Sequence, residues 1–184
     1  MQHLNFPRCT SCHGSASRHS PANNLSTVTF TVRHRGDFRR LCTSCVLKYH
    51  PSHFCPICFT VYDADSPAPT IDRRVVCISC PSILHPDCIV PAINCKSAPY
   101  QCPPCRNPSF RFFTAEREGV DEELARQFLA AAKIAVMSVK KAAKEARAVA
   151  ERRAIEAIRA RRIAKEAVAH HWLDNDDDDR NELS

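Results

Sequence analysis

Cys77-Ile78-Ser79-Cys80-Pro81-Ser82-Ile83-Leu84-His85-Pro86-Asp87-Cys88 sets four metal-binding side chains into one short stretch. They form two pairs, each with two residues between its members, separated by a four-residue gap. Working outward, Cys55-x2-Cys58 lies eighteen residues upstream and Cys102-x2-Cys105 thirteen residues downstream. A C-x2-C knuckle offers two thiolates from one tight turn, and zinc takes four such ligands in a tetrahedron. Four half-sites therefore make two complete sites.

The chain has 184 residues, with 12 Cys and 9 His but only 3 Gly and 1 Trp. Ten of the cysteines fall in C-x2-C pairs, at 9/12, 42/45, 55/58, 77/80 and 102/105, and Cys88 pairs with His85. Cys95 is left over; it reads as a buried thiol, with a redox-sensitive thiol or a substitute ligand as alternatives. The opening Met-Gln-His-Leu-Asn-Phe-Pro-Arg has no charged region followed by an apolar run, so no signal peptide is expected. No apolar stretch is long enough to span a bilayer, and no membrane partner is expected. Paired cysteines in a reducing compartment read as metal ligands rather than disulfides.

The formal charge is +6. Residues 1–120 hold 13 basic and 7 acidic side chains, residues 121–173 hold 12 and 7, and residues 174–184 hold 1 and 6. A basic body with an acidic tail points toward polyanions or acidic protein surfaces.

Residues 1–53 form an N-terminal region with knuckles at Cys9/Cys12 and Cys42/Cys45. Between them, Ser15 to Asn24 is polar and reads as loop. Thr27 to Val32 alternates strictly, with Val28, Phe30 and Val32 on one face, which predicts a strand. His34-Arg35-Gly36 is the turn, and the chain returns toward Cys42. A β-hairpin leading into a knuckle resembles a zinc ribbon, with Cys9, Cys12, Cys42 and Cys45 as a third zinc site. Cys42-x2-Cys45-x4-His50-x2-His53 also repeats the spacing of Cys77 to Cys88. The region is therefore open to a second reading, as a degenerate copy of the central module with His50 and His53 replacing one cysteine pair.

Residues 54–113 hold the central module. Its ligand intervals, 2, 18, 2, 4, 2, 13 and 2, resemble those of the PHD finger, whose fifth ligand is a His after a four-residue gap. RING domains usually place His fourth. The resemblance implies cross-brace ligation, with Cys55, Cys58, His85 and Cys88 on one zinc and Cys77, Cys80, Cys102 and Cys105 on the other. So short a segment cannot bury enough apolar area to be stable unaided. Structural zinc supplies about 10–16 kcal/mol of apparent binding energy, which becomes folding energy.

The same resemblance implies a peptide site. Many PHD fingers add a histone tail as a strand beside the segment before the third ligand, here Arg73 to Val76. Phe54 and Tyr62 match two positions of a methyl-lysine cage, whose walls attract the cation by cation–π interaction. Arg74 and Ile83 depart from the remaining two, and an arginine would repel a methylated lysine. Asp63, Asp65 and Asp72 offer charge-assisted hydrogen bonds to an unmodified basic tail.

Residues 121–171 contain no Gly or Pro and are rich in Ala, Arg, Lys and Glu, which predicts a helix about 75 Å long. Asp121 is placed as its N-cap, with Glu122 and Glu123 in the first turn. Its stripe of Leu124, Phe128, Ala131, Ala135, Val139, Ala142 and Ala146 makes residues 121–146 a candidate for a helical partner or coiled coil. Residues 174–184 are acidic and predicted disordered. The expected fold class is thus a small zinc-stabilised α+β body, an irregular cross-brace finger plus a zinc-ribbon-like hairpin, followed by one long helix and a tail.

These features predict a nuclear, chromatin-associated module that binds a histone tail or another protein through the finger and a larger complex through the helix. A RING-like ubiquitin ligase is the one enzyme reading retained. The chain has no Gly-rich phosphate loop or nucleophile elbow, and zinc with four protein ligands has no open catalytic position. Nucleic-acid binding through the basic helix and Arg33, Arg35, Arg39 and Arg40 is the third reading.

Overall fold

The computed structural model describes residues 8–12, 28–89, 100–113 and 121–181, the last stretch from residue 170 onward by backbone alone. Strands β1 (Thr29–His34) and β2 (Asp37–Cys42) form an antiparallel hairpin in which Val32 faces Arg39 and Arg33 faces Phe38. Arg35 and Gly36 connect them, with φ of 53° and 94°. A two-residue turn with both φ values positive matches the right-handed twist of paired strands. Gly36 adopts that conformation freely, whereas Arg35 does so against its own Cβ. The predicted alternation is present along β1: Val32 is buried, Phe30 half-buried, and Thr31 and Arg33 exposed. The strand begins at Thr29, which leaves Val28 just outside it.

Cys42 passes directly into α1 (Thr43–Tyr49), a short helix that the sequence pattern does not announce. It buries Cys45, Val46 and Leu47. One 3₁₀ turn follows at Pro51–His53. The second sheet pairs β3 (Val75–Val76) with β4 (Ile83–Leu84). A further 3₁₀ turn at Pro86–Cys88 and a one-turn α2 (Pro103–Arg106) follow. Pro51, Pro86 and Pro103 each open a helical turn, where a missing N–H costs nothing and the fixed φ is already correct.

Helix α3 spans Glu122–Asn181. Asp121 caps it as predicted: its Oδ1 accepts a 2.7 Å hydrogen bond from the Leu124 backbone N–H. The helix backbone continues past residue 171 through Asp174 to Asp179, where the sequence predicts disorder. The reason is local: nothing after Asp121 breaks the helix, and Asp is a weak helix former rather than a stop signal.

Residues 1–140 form one compact unit and residues 141–184 a second. The first holds two cores. In the larger, Val32 and Leu41 of the hairpin meet Val46 and Leu47 of α1, with Ala130, Ala131, Ile134 and Ala135 of α3 laid against them. Phe54, Phe59, Val61 and Phe112 extend it. Phe30 packs on Phe128 with ring centroids 5.4 Å apart. The face of α3 expected to await a partner over residues 121–146 is thus largely buried within the chain, up to Ala142. Most of the predicted stripe is buried, at Leu124, Ala131, Ala135 and Ala142; Gln127, Ala130 and Ile134 widen the buried face, whereas Val139 and Ala146 are exposed. Alanines at 130 and 131 let the helix backbone approach the hairpin closely, which favours that side. The smaller core gathers Cys55, Tyr62 and Leu84, with Val75, Ile83, Ile89 and Tyr100 packed against it.

In the second unit, residues 143–169 are exposed all round. Its exposed Arg162–Glu166 pair, 3.6 Å apart, adds a few tenths of a kcal/mol at most. No helix among the described residues is long and apolar enough to cross a membrane.

Two substitutions test this packing by chemical denaturation of the zinc-loaded chain. A Cβ at Gly36 meets nothing within 4 Å, so Gly36→Ala should cost about 1 kcal/mol from its positive φ alone. Ile134→Ala should cost about 2–5 kcal/mol, because it opens a cavity between α3 and the hairpin. If Ile134→Ala is neutral, α3 does not pack where it is placed.

Candidate metal centres

Three groups of candidate metal ligands stand out among the described residues: Cys9, Cys12, Cys42 and Cys45; Cys55, Cys58, His85 and Cys88; and Cys77, Cys80, Cys102 and Cys105. In each, the ligand atoms all lie within 4.8 Å of one another. The second and third groups interleave along the chain, as the cross-brace requires. The first is a four-cysteine set, so the alternative with His50 and His53 is set aside. His50 is buried and its Nδ1 lies 2.8 Å from the Val46 carbonyl oxygen, so its ring serves α1.

The spacing fits zinc. With Zn–S near 2.3 Å and Zn–N near 2.0–2.1 Å, tetrahedral edges are about 3.8 Å between sulfurs and about 3.6 Å between sulfur and nitrogen. The Cys12 and Cys42 sulfurs are 3.8 Å apart, and those of Cys80 and Cys102 are 3.5 Å apart. His85 Nδ1 lies 3.4 Å from the Cys58 sulfur and 3.7 Å from that of Cys88. A disulfide would need about 2.05 Å between sulfurs. These are three zinc sites.

Local structure aims each ligand. In the first site, the Thr10 backbone N–H and side-chain hydroxyl both donate to the Arg40 carbonyl, at 2.8 and 3.0 Å. This lays the Cys9–Cys12 knuckle on β2, whose end carries Cys42. Helix α1 then brings Cys45 round. In the second site, the Phe59 N–H donates to the Cys55 carbonyl at 2.9 Å, closing the knuckle. Phe59 takes a φ of 61°, costly for a bulky residue. Its ring offsets that strain by packing with Phe54 and Phe112, at centroid distances of 6.1 and 6.2 Å. In the third site, the Cys77 sulfur accepts from the backbone N–H groups of Ser79 and Cys102, at 3.4 and 3.3 Å. Such bonds stabilise a thiolate and orient it.

The electrostatics explain why a dication belongs there. Hydrogen bonding from Cys45 draws the Cys42 thiol down to about 5. Burial raises Cys58 and Cys77, but hydrogen bonds to their sulfurs outweigh it and leave them at about 7 and about 6. Their neighbours move the other way. A hydrogen bond to Cys42 holds Cys45 protonated, and burial pushes Cys88 up to about 12 and Cys105 to about 11. One thiolate forms readily in each cluster and opposes the next; a bound dication lets all of them ionise.

Phe54 and Tyr62, placed by the resemblance beside a peptide, are core residues instead. Phe54 is 1% exposed between Phe59 and Phe112. Tyr62 is 8% exposed, and its hydroxyl donates to the Ile83 carbonyl at 2.9 Å. Both rings are spent on packing, so neither walls a methyl-lysine cage. Asp63 accepts from the backbone N–H groups of Asp65 and Ser66, at 3.0 and 2.8 Å, and so shapes its own loop. Asp65, Asp72 and Arg74 are exposed. Cys95 lies outside the described residues. The Phe54–Phe59–Phe112 cluster is absent from the sequence prediction, although the alternation Phe110-Arg111-Phe112 after the last knuckle is its signal.

Comparisons with protein-family models, curated proteins and solved structures return no match. What the geometry establishes is a zinc-binding module with three structural centres.

Zinc released by a mercurial and read colorimetrically should reach three ions per chain. Cys102→Ser should lower the count and unfold the cross-brace. A count of two on fully reduced protein would remove the N-terminal centre.

Proposed function

We propose that this chain is a nuclear, chromatin-associated interaction module whose cross-brace finger binds a basic, extended peptide such as a histone tail. The outer edge of β3 carries the reading. The Cys77 N–H donates to the Ser82 carbonyl at 3.0 Å, which makes that position a hydrogen-bonded pair of the β3–β4 ladder. Antiparallel pairs alternate, so Val76 turns its N–H and C=O away from β4. Beside it, Val76 is 48% and Ile78 65% exposed. The Ile78 N–H is already given to the Tyr100 carbonyl at 3.0 Å, so an added strand would take its backbone hydrogen bonds from Val76 and cover these side chains. Exposed Asp65 and Asp72 supply acidic groups for a basic peptide, while Arg74 and the burial of Phe54 and Tyr62 disfavour a trimethylated lysine. The exposed helix of residues 143–169 is then the element that tethers the module to a larger assembly.

A second reading, a ubiquitin ligase that holds a conjugating enzyme as a RING does, draws on Ile57. It is 41% exposed at the tip of the Cys55–Cys58 knuckle, an apolar contact in search of a partner. Autoubiquitination that Ile57→Ala abolishes is the outcome that would favour it.

Calorimetric titration of the zinc-loaded chain with unmodified and trimethyl-lysine histone tail peptides tests the first reading. The unmodified peptide should bind, the trimethylated one no better. Val76→Pro should abolish the heat while zinc content is retained. No heat from either peptide on folded protein removes the reader role.

A further inference from the structure

We propose that the outward face of the N-terminal hairpin is a binding site for single-stranded nucleic acid, with Phe38 as the stacking platform and Arg33 and Arg40 as its phosphate contacts. The pairing register sorts the hairpin's side chains. Phe30, Val32 and Leu41 share the face that packs on α1 and α3. Thr31, Arg33, Phe38 and Arg40 share the other, and all four are exposed. Phe38 is 60% exposed, a large ring that the fold does not use. Arg33 is its direct cross-strand partner and Arg40 lies two residues along the same strand.

The strands that carry the arginines are braced, and one guanidinium is anchored. The Arg33 Nε donates to the Gly36 carbonyl at 3.2 Å, which lays the guanidinium along the turn. The Arg33 backbone N–H donates to Ser138 Oγ of α3 at 2.8 Å. The Arg40 carbonyl takes both Thr10 donors, so the first zinc knuckle braces that strand. Arg35 is exposed at the turn beside them, and Arg39 is exposed on the other face, opposite Val32. Residues 29–50 carry five Arg and Lys against the single acid Asp37.

The chemistry selects the ligand. Arginines alone would accept any polyanion, including an acidic protein surface. An exposed ring flanked by guanidinium groups suits a chain that alternates phosphates with flat bases. Base–aromatic stacking needs unpaired bases, since those of a duplex already stack on one another. Recognition of this kind tolerates any sequence and weakens steeply with salt.

Fluorescence anisotropy of the zinc-loaded full chain tests the proposal, with labelled oligodeoxythymidine and oligouridine 20-mers and a duplex of equal length as probes. The single strands should bind, and Phe38→Ala should weaken them about tenfold. Phe38→Trp should retain binding. Arg33→Gln with Arg40→Gln should lower the slope of log affinity against log salt by about 1.4. The Phe38 effect should persist in a chain carrying Arg159→Gln, Arg161→Gln and Arg162→Gln, which separates the hairpin from the basic helix. Zinc content checks each variant's fold. Equal affinity of Phe38→Ala and the parent chain overturns the proposal. So does competition by polyglutamate as effective as by the oligonucleotides, which would make the occupant an acidic protein.

Discussion

Four sulfur or nitrogen ligands held at tetrahedral distances are the constraint on which the rest of this protein rests. Sulfurs 3.5–3.8 Å apart cannot all ionise together, because each thiolate opposes the next. They are held there by knuckle turns, strand ends and backbone N–H donors that make sense only around a cation. Each centre then ties distant pieces of chain. The first joins the N-terminal knuckle to the base of the hairpin, and the other two lace together the segments that carry Cys55–Cys58, Cys77–Cys88 and Cys102–Cys105. Binding energy of about 10–16 kcal/mol per structural zinc exceeds what such small cores supply.

Phe54 and Cys55 show how the zinc regions become one unit. Neighbours in sequence, they face opposite ways, Phe54 into the core shared with the hairpin and α3, Cys55 into the core of the cross-brace. The connection between the regions is therefore packed on both sides. Phe59 belongs to the same arrangement: its positive φ is needed by the knuckle, and its ring is needed by the hairpin's core. Helix α3 completes that core with alanines and Ile134.

What remains exposed divides into surfaces of different chemistry. The β3 edge is apolar, with Val76 and Ile78 and nearby acids. The outer hairpin face is basic, with one unsupported aromatic ring. Residues 143–169 present a charged helix in which no apolar face is buried. Each zinc is closed by four protein ligands. The separation of these surfaces follows from the metals: zinc stabilises the body without a large apolar core, so much of the surface is left to contacts with other molecules.

The residues by themselves determined the metal chemistry. The C-x2-C and H-x2-C registers are local geometry, so the eight ligands of the cross-brace, the knuckles of the first site, the hairpin turn at His34-Arg35-Gly36 and the Asp121 cap are legible without a structure. Only the tertiary fold chose the four-cysteine set of the first site, because His50 turns to the Val46 carbonyl. It also decided that Phe54 and Tyr62 are core rather than surface, that α1 follows Cys42, and how wide a face of α3 is covered. These depend on contacts between segments far apart in sequence. A ring beside a ligand can pack or bind a peptide equally well until its neighbours are in place, and an alanine-rich helix has several sides that could be buried. The difference is between short-range spacing, which one chain segment carries, and burial, which takes several.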